Sequence, residues 1–429
     1  MIDKIKNPVF RNSVIYMATD SIARAIGFLL LPITSKYLVP EQLGIAANFD
    51  VLQSILALLA GQAIVNALPY FYYKSSKESV ALLVSSLIGI ILILNLAFSG
   101  VIYFCSDITE EYLKIGLALQ MLTVVSVISQ LLGDINKIIL RLEDKPYQFA
   151  GLQLLQSGIY TTLLLILLIG FNMQALGRIY STVFSLVFVC FIHVFMLIRK
   201  RYLLFRWDME SVKKLLRFGI PLLPHSLSFW IKSGLDKVLL TTFCGLAING
   251  LYSMAMTFGA IYSMCQISFS RAYVPYLQKK ISTFTEENEF DEKLKLVRMT
   301  YGFGGLFIIL YFVLVLFCWF VVQYVINEKY LSCFQFIPWI LLARTLHAFY
   351  SLVVEYIYTA KKTLGLGIIT FTGSFVQLAM TYSFIQLFGL DGIKISIVVG
   401  EFVIMIGVWW YSNRVYPLPW MSFMKKKAN

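Results

Sequence analysis

Apolar runs of about twenty residues or more recur along the whole chain, and that recurrence constrains the fold more than any single motif. A helical run of this length crosses the roughly 30 Å hydrocarbon layer of a bilayer, where backbone polar groups must be satisfied within the segment. Twelve spans are predicted: 12–36, 43–69, 79–104, 113–140, 148–171, 175–198, 218–243, 248–276, 299–324, 331–358, 364–388 and 391–413. Charged residues are 14% of the chain and mean hydropathy is +0.77, whereas soluble domains carry roughly 25% charge. The chain reads as an all-α polytopic membrane protein. Its first run is too long for the apolar core of a signal peptide and lacks a convincing cleavage site, so it is expected to remain as a helix.

The basic residues set an orientation. With the N-terminus inside, 25 Lys and Arg fall on inner segments and 5 on outer ones (Lys36, Lys114, Arg178, Lys329 and Lys394). Lys4, Lys6, Lys74 and three lysines at 425–427 are among the inner set, and both termini are expected in the cytoplasm. This asymmetry accounts for the net charge of +13 without nucleic acid as a partner. Six cysteines are scattered singly, with no paired spacing for a metal site or a disulfide framework. No phosphate-loop motif is present, so no cofactor is expected and an ion gradient is the default energy source. Of the long inner segments, 199–217 reads as a basic amphipathic piece on the inner leaflet. The other, 279–298, with Glu286, Glu287 and Glu289, reads as a solvated loop with a short helix.

The two halves resemble each other. At a shift of 206 residues Pro69-Tyr70 falls on Pro275-Tyr276, Gly44 on Gly250 and Arg11 on Arg217. Six spans per half is an even number, so both halves keep one orientation. That predicts parallel repeats, two six-helix lobes (1–198 and 218–429) around a central cavity, joined by the basic connector 199–217.

The run 215–221, then Asp236-Lys237 and Gly250-Leu251-Tyr252-Ser253, resembles the start of the second lobe in Wzx-type polysaccharide flippases. These belong to the multidrug/oligosaccharidyl-lipid/polysaccharide exporter superfamily. Leu30-Leu31-Pro32-Ile33 and the stretch from Tyr37 to Gly44 resemble their first-helix signature, although Lys237 stands where an Arg often follows the Asp. The resemblance implies transfer of an oligosaccharide on undecaprenyl diphosphate, an O-antigen or capsule repeat unit, from the cytoplasmic to the periplasmic leaflet of the inner membrane. It implies no enzyme activity, and as partners the lipid-linked substrate, membrane lipids, a polysaccharide polymerase and a chain-length regulator.

A diphosphate needs a wet, cationic path. Arg24, in the first span, is expected to face it, with Asp20 four residues earlier able to pair with it. Arg344 and His347 in the tenth span, Lys232 in the seventh and Arg271 in the eighth complete the candidate substrate contacts. Asp20, Asp134, Asp236 and Glu401 are candidates for ion coupling or charge pairing, Glu401 standing without a local partner. Each has a plainer reading: Asp20–Arg24 as a structural pair, Arg271 snorkelling to the inner surface, Glu401 as polar packing. A drug exporter of the same superfamily, a lipid II flippase and a membrane polymerase are the rival functions. The first predicts an acidic cavity, the second further helices, the third a sizeable outer loop.

Overall fold

A computed structural model describes residues 8–73, 75–204, 206–281, 284 and 289–422, without the side chains of 8–10 and 225. Lys4, Lys6, Lys74, Glu286, Glu287 and the lysines at 425–427 therefore lie outside the described residues. The described residues contain helices and short turns and no strand. Among the described residues, ten helices are long and apolar enough to cross a membrane. The seventh and eighth expected spans form helices too, but fall short in apolarity. One carries Lys232, Asp236 and Lys237; the other carries Asn249, Gln266 and Arg271. The protein is a multi-pass, all-α membrane protein, with internal packing dividing it into the compact units Met1–Gly250 and Leu251–Asn429.

The first unit starts with α1 (Pro8–Leu29), α2 (Leu31–Tyr37) and α3 (Pro40–Ala57). Pro40 opens α3 where its missing N–H and fixed φ cost nothing. A π turn, Leu58–Gln62, interrupts the continuation of α3 at Gly61, whose φ of 142° suits only glycine. At the repeat shift the equivalent of Gly61 is Ile267, and there the second half runs unbroken. Next come α4 (Lys77–Phe104), α5 (Ser106–Leu113), α6 (Leu117–Leu142), α7 (Pro146–Leu165) and α8 (Gln174–Arg199). Leu87 and Ile91 of α4 meet Val127, Leu131 and Ile135 of α6 in the buried core.

The connector is stitched down rather than floating. Ser85 Oγ accepts from Leu204 N at 2.9 Å, and Ser86 Oγ accepts from Asp208 N at 3.3 Å. Trp207 lies over Gly89, where an added Cβ would stand 2.3 Å from its ring. Asp208 then caps α9 (Met209–Gly219), whose apolar Val212 and Leu215 are buried while Lys213, Lys214 and Arg217 are exposed. The expected amphipathic piece is a helix whose apolar face is taken up by α4.

Pro221 and Pro224 bring in a 3-10 turn, Ile220–Leu222, before α10 (Leu223–Trp230), a π turn at Ile231–Leu235 and α11 (Asp236–Cys244). Gly245, at φ 87°, ends α11, and α12 (Leu246–Ile281) begins at once. Here the repeat becomes physical. An added Cβ on Gly44 would stand 2.2 Å from Leu246 O, and one on Gly250 would stand 1.9 Å from Pro40 O. Since Pro40 and Leu246 are themselves repeat partners, the two crossings mirror each other. A buried amide cluster seals them: Asn249 Nδ2 donates to Asn48 Oδ1 at 2.8 Å and to Thr241 Oγ1 at 3.0 Å, and Asn48 Nδ2 donates to Leu113 O at 2.7 Å.

In the second unit α12 packs with α13 (Glu289–Tyr324), α14 (Ile337–Thr359), α15 (Thr363–Phe388) and α16 (Leu390–Val415). Tyr262 is fully buried and donates to Phe307 O at 3.1 Å. Gly373 and Gly400 let α15 and α16 approach closely, with Ile404 and Gln377 filling the space a Cβ would need. The segment expected as a solvated loop is mostly helix. Only residues 282–288 separate α12 from α13, and Glu292 pairs with Lys280 across them at 3.2 Å.

Candidate functional site

The helices α1, α7 and α8 line an open chamber of about 360 Å³ within the first unit, in which Arg24 is exposed. Arg24 sits at the centre of the first span, Arg11–Tyr37, and lines the chamber together with Asp20 one turn before it. Across from them α7 presents Gln153, Gln156, Ser157 and Tyr160 at helical spacing, and α8 adds Arg178, Thr182 and Ser185. Two guanidiniums, one carboxylate and a set of amides and hydroxyls are thus gathered at one place in the helix bundle.

The two arginines differ in their partners. Arg178 Nη2 donates to Asp50 Oδ2 of α3 at 2.9 Å. Arg24 has no ion-pair partner among the described residues, and the expected Asp20–Arg24 pair is not within ion-pair distance. A guanidinium at mid-membrane is costly unless it faces water or an anion. The chamber supplies such a face, and its donor set suits a phosphate-type oxyanion with hydroxylated groups beside it.

The remaining expected residues are dispersed. Asp134 is engaged locally, its Oδ1 2.8 Å from Lys137 Nζ. Lys232 lies in the π turn and Asp236 just beyond it, so the four-residue spacing no longer carries its α-helical angle. Asp236 is buried and Lys232 half-buried. Arg271 is exposed on α12. In the second unit Arg344 is half-buried beside Gly259. The expectation that Glu401 stands alone is corrected. Its Oε2 is 3.5 Å from His347 Nδ1, because α14 and α16 pack side by side, and the imidazole also stacks on Tyr350 at 5.2 Å between ring centroids.

On the connector side, Glu143 accepts from Lys200 at 2.7 Å and Tyr202 at 2.9 Å, with Lys145 at 3.1 Å. Burial raises its pKa, but the hydrogen bonds from Lys200, Lys145 and Tyr202 outweigh this and hold it below the usual carboxylate range. Burial, then the neighbouring Tyr72 and Glu143, push the Tyr202 phenol well above its ordinary value. This clasp ties the α6–α7 turn to the connector and is structural.

Residues 9–280 match the model of a family described as polysaccharide biosynthesis protein. A protein of the Lsg locus of Haemophilus influenzae is 23% identical over 289 residues, covering 64% of this chain and 67% of that protein. A second H. influenzae protein, described as an uncharacterized membrane protein, is 25% identical over 279 residues, 64% of this chain and 66% of its own length. Among solved structures, the lipid II flippase MurJ in an inward closed conformation superposes with a TM-score of 0.72 at 15% identity, covering 93% of this chain and 87% of that one. An inward-facing multidrug resistance MATE transporter of the MOP superfamily gives 0.70 at 18% identity, covering 91% and 94%. The fold is therefore that of these transporters.

Proposed function

The chain belongs to the polysaccharide biosynthesis protein family, and from that premise we propose that it is a flippase for a lipid-linked oligosaccharide. The chamber receives the diphosphate head group through Arg24 and Arg178, with the glutamines and hydroxyls of α7 and α8 meeting the proximal sugar. The carrier is undecaprenyl diphosphate, the cargo an O-antigen or capsule repeat unit, and transfer runs from the cytoplasmic to the periplasmic leaflet of the inner membrane by alternating access. Both termini are cytoplasmic. A polysaccharide polymerase and a chain-length regulator take the product onward. Arg344, Lys232, Arg271 and His347 are further cationic contacts, and Asp20, Asp134, Asp236 and Glu401 serve ion coupling or charge pairing. No catalytic residue is needed.

The observation that carries the proposal is Arg24, a mid-span arginine without an ion-pair partner among the described residues, facing a polar chamber. A cationic drug would meet two guanidiniums there, which disfavours the drug-exporter reading. The test is translocation of a lipid-linked oligosaccharide by reconstituted Arg24→Ala and Arg344→Ala proteins at matched levels. Transport falling at least tenfold in Arg24→Ala supports the chamber. Wild-type transport in both variants refutes the site assignment.

A further inference from the structure

Arg178 has two roles that compete. It lines the chamber, and its Nη2 is held by Asp50 of α3 at 2.9 Å. The segment α10–α11 packs against α3: Thr241 donates to Asn48 Oδ1 at 3.2 Å, and on the face that carries Asp50, Ser54 one turn later accepts from Trp230 Nε1 at 3.0 Å. Lys237 precedes Thr241 by one helical turn and shares its face of α11. Lys237 lies within electrostatic range of Asp50, Arg178 and Asp236. An anion entering the chamber changes the charges that Arg178 and Asp50 face.

We infer that Asp50 is an internal competitor for the substrate's anion, yielding Arg178 to an incoming phosphate group and turning to Lys237 in exchange. The inference rests on the anion-receiving reading of the chamber. A phosphate oxyanion makes charge-assisted, bidentate contacts to a guanidinium and carries more charge than one carboxylate, so it wins Arg178. The displaced carboxylate is costly to leave unpaired among membrane helices, and Lys237 supplies its new partner. No proton has to move, and the count of ion pairs rises by one. Because Asp50 belongs to α3 and Lys237 to α11, occupancy of the chamber alters the attraction between those two helices. They are the helices that Asn48, Thr241 and Asn249 join.

Competition gives the variants opposite signs, which a merely structural role does not. Full-length protein in lipid nanodiscs is titrated with inorganic pyrophosphate and the heat of binding measured. Asp50→Asn, nearly isosteric, removes the competitor and lowers the Kd about tenfold, the scale of one hydrogen bond to a charged group. Lys237→Met removes the cationic partner for the displaced carboxylate, leaves Asp50 on Arg178 and raises the Kd by a similar factor. It reads the same exchange without touching either member of the pair. Arg178→Gln in the Asp50→Asn background cancels the gain. If Asp50→Asn binds pyrophosphate no better than wild type, or Lys237→Met binds it better, the competition is refuted while Arg24-dependent binding stands. If wild type and Arg24→Ala show equal binding or none, the chamber reading fails and takes this inference with it.

Discussion

Gly250→Ala tests the mirrored crossing of α3 and α12 most directly. An added Cβ would stand 1.9 Å from Pro40 O and 2.7 Å from its carbonyl carbon. Carbon–oxygen contacts settle near roughly 3.3 Å, so the two backbones must part by about 1.4 Å. A backbone carbonyl has no rotamer into which it can retreat, so the cost lies in the upper part of the overpacking range, about 2–3 kcal/mol. The same displacement stretches the bond from Asn249 to Asn48, 2.8 Å at present, and losing it adds about 1 kcal/mol. Domains of 150–250 residues lose about 2–4 °C of Tm per kcal/mol, which puts the drop on the order of 10 °C.

The assay is thermal unfolding of detergent-purified protein, with Gly302→Ala as control. Nothing lies within 4 Å of a Cβ at Gly302, which sits inside α13, so alanine there is expected to stabilise by about 0.5–1 kcal/mol. Gly44→Ala, against Leu246 O at 2.2 Å, should resemble Gly250→Ala. A Gly250→Ala protein that melts with wild type, or no lower than Gly302→Ala, would refute the close crossing.

Three further outcomes are expected. Glu143 has a depressed folded-state pKa, so its contribution is present above the unfolded carboxylate pKa and lost as pH falls through the folded value. Glu143→Gln should therefore cost about 1–2 kcal/mol at pH 7 and little once the carboxylate is protonated, read as a Tm difference that closes on acidification. Gly89→Leu should expel Trp207 and free the connector, seen as faster tryptic cleavage after Arg206, whereas the Gly302→Ala control keeps its wild-type cleavage rate. Asn249→Leu strips Asn48 Oδ1 and Thr241 Oγ1 of a buried donor and should cost about 1–3 kcal/mol in thermal unfolding, an order that Asn249→Ser partly restores.

The helices were legible because apolar length is a local property: each run states its own need for a membrane. Arg24 was legible for the same reason, a lone cation in an apolar run. Arg178 was not. It stands four residues into α8, near a turn that charge counting assigns to the outer side, and on that ground alone it belongs with Lys36 and Lys114. What places it in the chamber is the facing stripe Gln153, Gln156, Ser157 and Tyr160, a polar face at helical spacing within an apolar helix that could have been read from the sequence. Pairings between helices were out of reach for a different reason. Asp50 with Arg178, His347 with Glu401 and Asn48 with Asn249 are separated by 128, 54 and 201 residues, and only packing brings them together. The same limit explains Asp20 and Arg24, which sequence spacing pairs and the structure does not: once Arg24 has a polar chamber before it, the gain from closing on Asp20 is small, since an exposed four-residue ion pair contributes only about 0.3–0.5 kcal/mol. The charge that the spacing offered to a neighbour is the one left available for an anion.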